Sequence, residues 1–275
     1  GTLMRVENLA ELYHPRSLHP LRDKLVALKP KYVALAPRQE TYRENMLLGA
    51  WELLTTLDDD PYLDVFPGIL VAPSPEIFAV LIDRSIRYRS ITANELQPFA
   101  ISQVASNEET RSLQKAGILR KVFASYGIET PCLAVYTPEA TEAPELNGEK
   151  SWKIRLRRKG DFVKHFAPEL SKVLREARLV IMHGHGIPGM SCSIDIEGIP
   201  PDSRNEVILS GSCFSAAPKE SDFPRMTSAP GGYQLAPRPA FATRYIERGA
   251  TLFFGHMRLS SGFPHLYPVL EKWLS

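Results

Sequence analysis

The sequence predicts an α/β fold with a mostly parallel sheet, divided into two α/β halves of similar size. Short apolar runs alternate with segments of helical periodicity along all 275 residues, the pattern of strands joined by crossover helices. Two of the later runs, "RLVIMHGHGIPG" (178–189) and "EVILSGSCFSA" (206–216), end in reactive side chains set among small residues. Between the two halves lies "TPEATEAPELNGEKS" (137–151), whose Pro, Glu, Thr and Gly content reads as a linker. The expected division is therefore 1–145, an accessory subdomain, and 146–275, the subdomain carrying the chemistry.

Each element has its own signal. "KYVALA" (31–36) reads as a buried strand and 41–57 follows with helical periodicity. "PGILVA" (67–72) is a second strand, and Ser74-Pro75-Glu76 opens a helix over 74–89. After "PFAISQVA" a helix covers 108–126, and "CLAVYT" (132–137) is a strand. Beyond the linker, a helix over 161–177 leads into "RLVIM", then "EVILSG". A helix at 239–249, the strand "ATLFFGH" (250–256) and a last helix over 265–274 complete the series.

Composition narrows the function. An apolar content of 44% with 23% charged residues is that of a globular chain with a real core. The net charge of +2 argues against a general polyanion binder, and "KIRLRRKGDFVKH" (153–165) reads as a solvated strand edge leading into a helix, not a nucleic-acid site. Three cysteines without CxxC spacing fit neither a disulfide scaffold nor a zinc ribbon. No apolar run reaches the roughly 20 residues of a membrane span. No signal-peptide pattern opens the chain and "GTLM" reads as a tag remnant, so a cytoplasmic location and secretion after processing both stay open.

In parallel α/β sheets, functional groups gather at the carboxyl ends of strands. His183 and His185 stand at the end of one run and Cys213 at the end of the next. If those strands are neighbours, a thiol and an imidazole reach one substrate carbonyl, the arrangement for nucleophilic acyl transfer. Gly184, Gly186 and Gly211 clear room for a substrate backbone, and the amides of Gly186 and Cys213 are the natural oxyanion donors.

A hydrophobic block ending in His-Gly, followed by one ending in a small residue and Cys, resembles the caspase-like cysteine peptidases, the clan of caspases, legumain, clostripain and gingipain. "IMHGHG" is most similar to the gingipain type, "RGATLFFGHM" (248–257) resembles its next strand, and "LDDDPYLDVFPGILVA" (57–72) resembles its accessory subdomain. The resemblance implies a caspase-like three-layer fold preceded by a smaller α/β accessory subdomain, and a cysteine endopeptidase with Cys213 as nucleophile and His185 as base. It implies peptide or protein substrates and a thioester intermediate; residues 1 to about 145 are expected to contribute no nucleophile or base, and to wall the cleft and stabilise the catalytic sheet. His185 is favoured over His183 because the family histidine follows a small residue, here Gly184, and precedes Gly186. In this clan a pocket beside the cysteine selects one side chain. A basic preference there needs a buried carboxylate, for which Asp195, Glu197 and Asp222 are candidates by proximity in sequence.

No cofactor is required by this chemistry. Asp58, Asp59, Asp60 and Asp64 crowd one turn and are candidate calcium ligands, although aspartates also cluster in turns for local reasons. His183, His185, His256 and Cys213 carry zinc-ligand chemistry without zinc-site spacing. Cys192 and Cys132 read as a bystander and a core residue. The loop 217–239 reads as a lid, a self-cleavage site or a pocket wall. Nucleic-acid and membrane partners are not expected, and the oligomeric state stays open. Two other readings remain: a caspase-like scaffold that binds without catalysis, and an α/β-hydrolase with a cysteine nucleophile, which lacks the second glycine of its elbow in "GSCFS".

Overall fold

In the computed structural model, Thr2 and residues 20–38, 41–60, 62–88, 92, 95–146, 148–203, 205–217, 240–257 and 266–274 are described, and the chain divides into two units, 1–78 and 79–275. The first contains α1 (Pro20–Leu28), β1 (Tyr32–Leu35), α2 (Glu44–Leu54), β2 (Phe66–Ile69) and the start of α3 (Pro75–Arg87). β1 and β2 pair in parallel, Tyr32 against Phe66. Leu25 of α1 and Leu53 and Leu54 of α2 close a small core with Val65.

The second unit holds β3 (Pro98–Val104), α4 (Arg111–Ser125), β4 (Cys132–Tyr136), β5 (Ser151–Arg155), α5 (Pro168–Glu176) and β6 (Leu179–His183). A hairpin-like group follows: β7 (Gly186–Ile187), β8 (Met190–Ser191) and β9 (Ile194–Asp195). Then come β10 (Val207–Ser210), α6 (Phe241–Arg248), β11 (Leu252–Phe254) and α7 (Leu266–Leu274). Six strands form one sheet in the order β11-β10-β6-β3-β4-β5, every pair parallel. β3, β4 and β6 are buried along their whole length, which is why they read as continuous apolar runs.

Helices cover both faces. In α4, Ala116, Leu119 and Phe123 recur at helical spacing and meet Ala100, Cys132, Leu179, Ile181 and Val207 of the sheet, with Leu270 of α7 beside them. On the opposite face, Phe241 and Tyr245 of α6 pack edge-on and tilted against Phe253 of β11. α6 ends at Gly249, whose φ of 129° and close approach to the Ser203 carbonyl admit no side chain. The Arg84 guanidinium donates to the Ile246 carbonyl of its last turn at 3.0 Å. Among the described residues no helix is long and apolar enough to cross a membrane.

Three expectations are corrected here. The boundary falls at 78/79 and not near 145, because β3 and β4 belong to the same sheet as β6 and β10. The stretch read as a linker is packed down: Ala140 and Ala143 are buried against β4, and the Tyr136 hydroxyl donates to the Pro144 carbonyl and accepts from the Leu146 amide, each at 3.1 Å. The helix expected from 161 begins at Pro168, since the backbone of Val163 is bonded to the Ser193 carbonyl and the Asp195 amide.

Phe123 is fully buried in the main core, so Phe123→Ala is expected to lower stability by about 3–5 kcal/mol. Ile118→Ala, on the exposed side of the same helix, should stay within about 0.5 kcal/mol. Urea unfolding of both variants checks the contrast.

Candidate active site

β6 and β10 lie side by side in parallel, Ser210 opposite Met182, and the Gly211 amide extends the ladder to the Met182 carbonyl at 2.9 Å. The condition on which the sequence argument rested is therefore met: the His-Gly turn and the cysteine turn leave adjacent strand ends. β11 adds a third end, where the His256 carbonyl accepts the Ala216 amide at 3.0 Å.

At the first turn the chain must come very close to its neighbours. A Cβ on Gly184 would lie 2.5 Å from the Gln103 side chain and 3.1 Å from the Cys192 sulfur. One on Gly186 would overlap the Cys213 carbonyl oxygen and lie 2.8 Å from Ser212 Cβ. Glycine is thus sterically required at 186, and the segment after His185 rests directly on the Cys213 backbone. In the β7–β8 ladder the Cys192 amide donates to the His185 carbonyl at 2.9 Å. The next pair, Gly186 with Ser191, is then a non-hydrogen-bonded pair, and the Gly186 amide points away from β8.

His185 is held from two sides. Its amide donates to Gln103 Oε1 at 2.7 Å, and the buried Gln103 in turn donates through Nε2 to Ser193 Oγ at 2.6 Å. Its ring Nε2 meets Glu109 Oε2 at 2.9 Å. With the carboxylate as acceptor, Nε2 carries the proton and Nδ1 is left basic. The ring is 60% exposed. Cys213 is half-buried in a tight turn, and Phe214 behind it takes φ 53°, uncommon for a bulky residue. Ser215 Oγ closes the turn on the Ser212 carbonyl at 3.0 Å.

The remaining reactive groups are shut in. His183 is 3% exposed, with neither ring nitrogen bonded to a partner. Burial, with a smaller contribution from Lys115, holds its pKa down at about 3. Cys192 is fully buried and its thiol is pushed up to about 11. Burial also raises Cys132.

Of the three carboxylates expected for a specificity pocket, two have partners within the described residues and the third lies outside them. Asp195 is buried and accepts the Glu197 amide at 3.0 Å as the cap of a short 3-10 turn. Glu197 pairs with Arg244 at 2.9 and 3.1 Å. Asp222 and loop residues 218–239 lie outside the described residues.

Asp58, Asp60 and Asp64 bring carboxylate oxygens within 4.8 Å of one another, and Asp59 is not part of the group. These side chains accept the amides of Asp60, Tyr62 and Leu57 respectively, which accounts for the cluster as turn chemistry. Among the described residues no other trio of His, Cys, Asp or Glu comes within 4.8 Å, and His183, His185, His256 and Cys213 form no such group.

Glu109 and Gln103, both before residue 145, thus contact His185, a part beyond the walling and sheet support expected of that half, although neither is a nucleophile or a base. Sequence reasoning missed them, because "SNEETRS" around Glu109 carried only the signal of a helix start and Gln103 sits inside the apolar run "PFAISQVA". Among known proteins, no family model, curated protein or solved structure matches this chain.

Two outcomes are expected. Iodoacetamide should alkylate Cys213 before Cys132 or Cys192, since only Cys213 is not buried; peptide mapping after brief labelling checks it. Acid should destabilise the fold through His183. Above about 6.5 the ring is neutral in folded and unfolded chains alike. Between about 6.5 and 3 the unfolded chain takes up a proton that the folded chain refuses. Stability from this group then falls by about 1.4 kcal/mol per pH unit. His183→Leu should flatten that slope in urea titrations between pH 7 and 4.

Proposed function

We propose that this chain is a cysteine endopeptidase of the caspase-like kind, with Cys213 as nucleophile and His185 as base. The observation that carries the reading is the abutment of Gly186 on the Cys213 backbone at the ends of adjacent parallel strands. The three-layer parallel architecture and the His-Gly and Ser-Cys turns support it further. His185 is preferred over His183 because its ring is exposed and paired to a carboxylate, while His183 is enclosed.

In this reading Glu109 fixes the ring so that Nδ1 faces the reaction. Nδ1 takes the Cys213 proton and the thiolate attacks the scissile carbonyl carbon. The resulting oxyanion is held by the amides of Gly186 and Cys213. The imidazolium returns its proton to the leaving amine as the C–N bond breaks, leaving a thioester on Cys213. Water, deprotonated by the same imidazole, attacks the thioester and releases the acid and the free thiol. Glu109 acts through His185 and is a positioning residue.

Initial rates on quenched-fluorescence peptides that vary the residue before the scissile bond test this. Cys213→Ser and His185→Ala should each lose about 10³-fold or more, and Glu109→Gln about 10-fold or more. His183→Leu should retain activity. Undiminished cleavage by Cys213→Ser would exclude the reading.

A further inference from the structure

The basic stretch 153–165 takes no part in the dyad. Lys153, Arg155, Arg157, Arg158, Lys159 and Lys164 face a single acid within it, Asp161. The structure folds this stretch into a cleft of about 450 Å³ lined by Arg155, Leu156, Arg157, Gly160, Asp161, Phe162 and Lys164.

Its cations are not all neutralised. Lys153 pairs with Glu145 at 2.7 Å, and Arg155 shares that carboxylate at 3.5 Å. Asp161 spends one oxygen on the Arg158 amide at 3.0 Å. Among the described residues neither Arg157 nor Lys164 has an ion pair, and both are exposed. Arg155 is fixed in advance: its guanidinium lies 4.5 Å from the Tyr136 ring centre and donates to the Ala140 carbonyl at 2.9 Å. A rigid arginine flanked by two unpaired cations receives carboxylates at little cost in ordering.

Position gives the cleft its use. It opens at the carboxyl end of β5, on the same sheet edge as the dyad, because all six strands are parallel. Three strand spacings separate β5 from β6 and four separate it from β10, or about 14 and 19 Å. An extended peptide covers that distance in about four to six residues. The wall is continuous with the dyad region: the Val163 amide donates to the Ser193 carbonyl and the Asp195 amide to the Val163 carbonyl, at 2.9 and 3.0 Å. Ser193 is the residue that holds Gln103, and Gln103 holds the His185 amide.

We infer that this cleft docks an acidic segment of the polypeptide substrate, about four to six residues from the scissile bond; the inference rests on the peptidase reading. Fluorescein-labelled hexaglutamate and its hexaglutamine twin, followed by anisotropy on the full chain carrying Cys213→Ala, test docking without turnover. Hexaglutamate should bind at low salt and hexaglutamine should not. Arg157→Glu with Lys164→Glu should weaken binding at least 10-fold while circular dichroism stays unchanged. Arg157→Ala with Lys164→Ala should weaken it less, in the same direction.

In cleavage assays, a Glu block placed about five residues from the cut should lower KM with kcat unchanged, and only in the chain that keeps both cations. Equal hexaglutamate binding by the charge-reversed chain overturns the inference, as does a cleft that takes inorganic phosphate but no hexaglutamate in calorimetry. Cleavage without discrimination of the Glu block fails the cleft alone. Hexaglutamate binding with no peptide ever cleaved fails the peptidase reading and with it the assignment to a substrate.

Discussion

The contact between Gly186 and the Cys213 carbonyl is the constraint around which this end of the molecule is organised. Two backbones meet there with no space for a methyl group, so the turn after β6 and the turn after β10 are held in fixed relation. The parallel pairing of those strands sets their ends level. The small residues around them let the turns close: Ser210, Ser212 and Ser191 are fully buried and satisfy one another, Ser191 Oγ lying 2.8 Å from Ser212 Oγ and 3.2 Å from Ser210 Oγ. Larger apolar side chains at these positions would force the two turns apart, and unpaired polar ones would carry a desolvation cost.

How far the sequence could be read follows from which interactions are local. The apolar runs of β3, β4, β6 and β10 and the periodicity of α4 are legible because burial on both sheet faces, or on one helix face, writes itself into neighbouring residues. Strand order is not local. β4 and β5 pair across a Pro- and Glu-rich stretch that has every mark of a linker, and it is packed because the Tyr136 hydroxyl bonds to it from a strand. The β7–β9 group was invisible for a related reason, since two-residue strands leave no periodicity to detect.

The same division runs through the site. His185 and Cys213 announced themselves by the small residues beside them. Glu109 and Gln103 did not, being 76 and 82 residues from His185 in sequence and brought to it only because β3 is the neighbour of β6. The choice between two histidines two residues apart was likewise undecidable by alternation, because the strand stops at His183 and the chain turns. One ring stays in the sheet, under Lys115 of α4, and the other leaves toward Glu109.

One sheet edge thus carries an acidic group against His185 and a basic cleft beyond β5, and their separation determines whether they interfere. At physiological salt the screening length is about 8 Å, against about 14 Å between the ends of β5 and β6. Charge at the end of β5 is therefore largely screened from the imidazole, whose own partner lies 2.9 Å away. The bonds through Val163, Ser193 and Gln103 join the two places mechanically, so the cleft wall and the His185 turn are held in fixed relation at one end of the sheet.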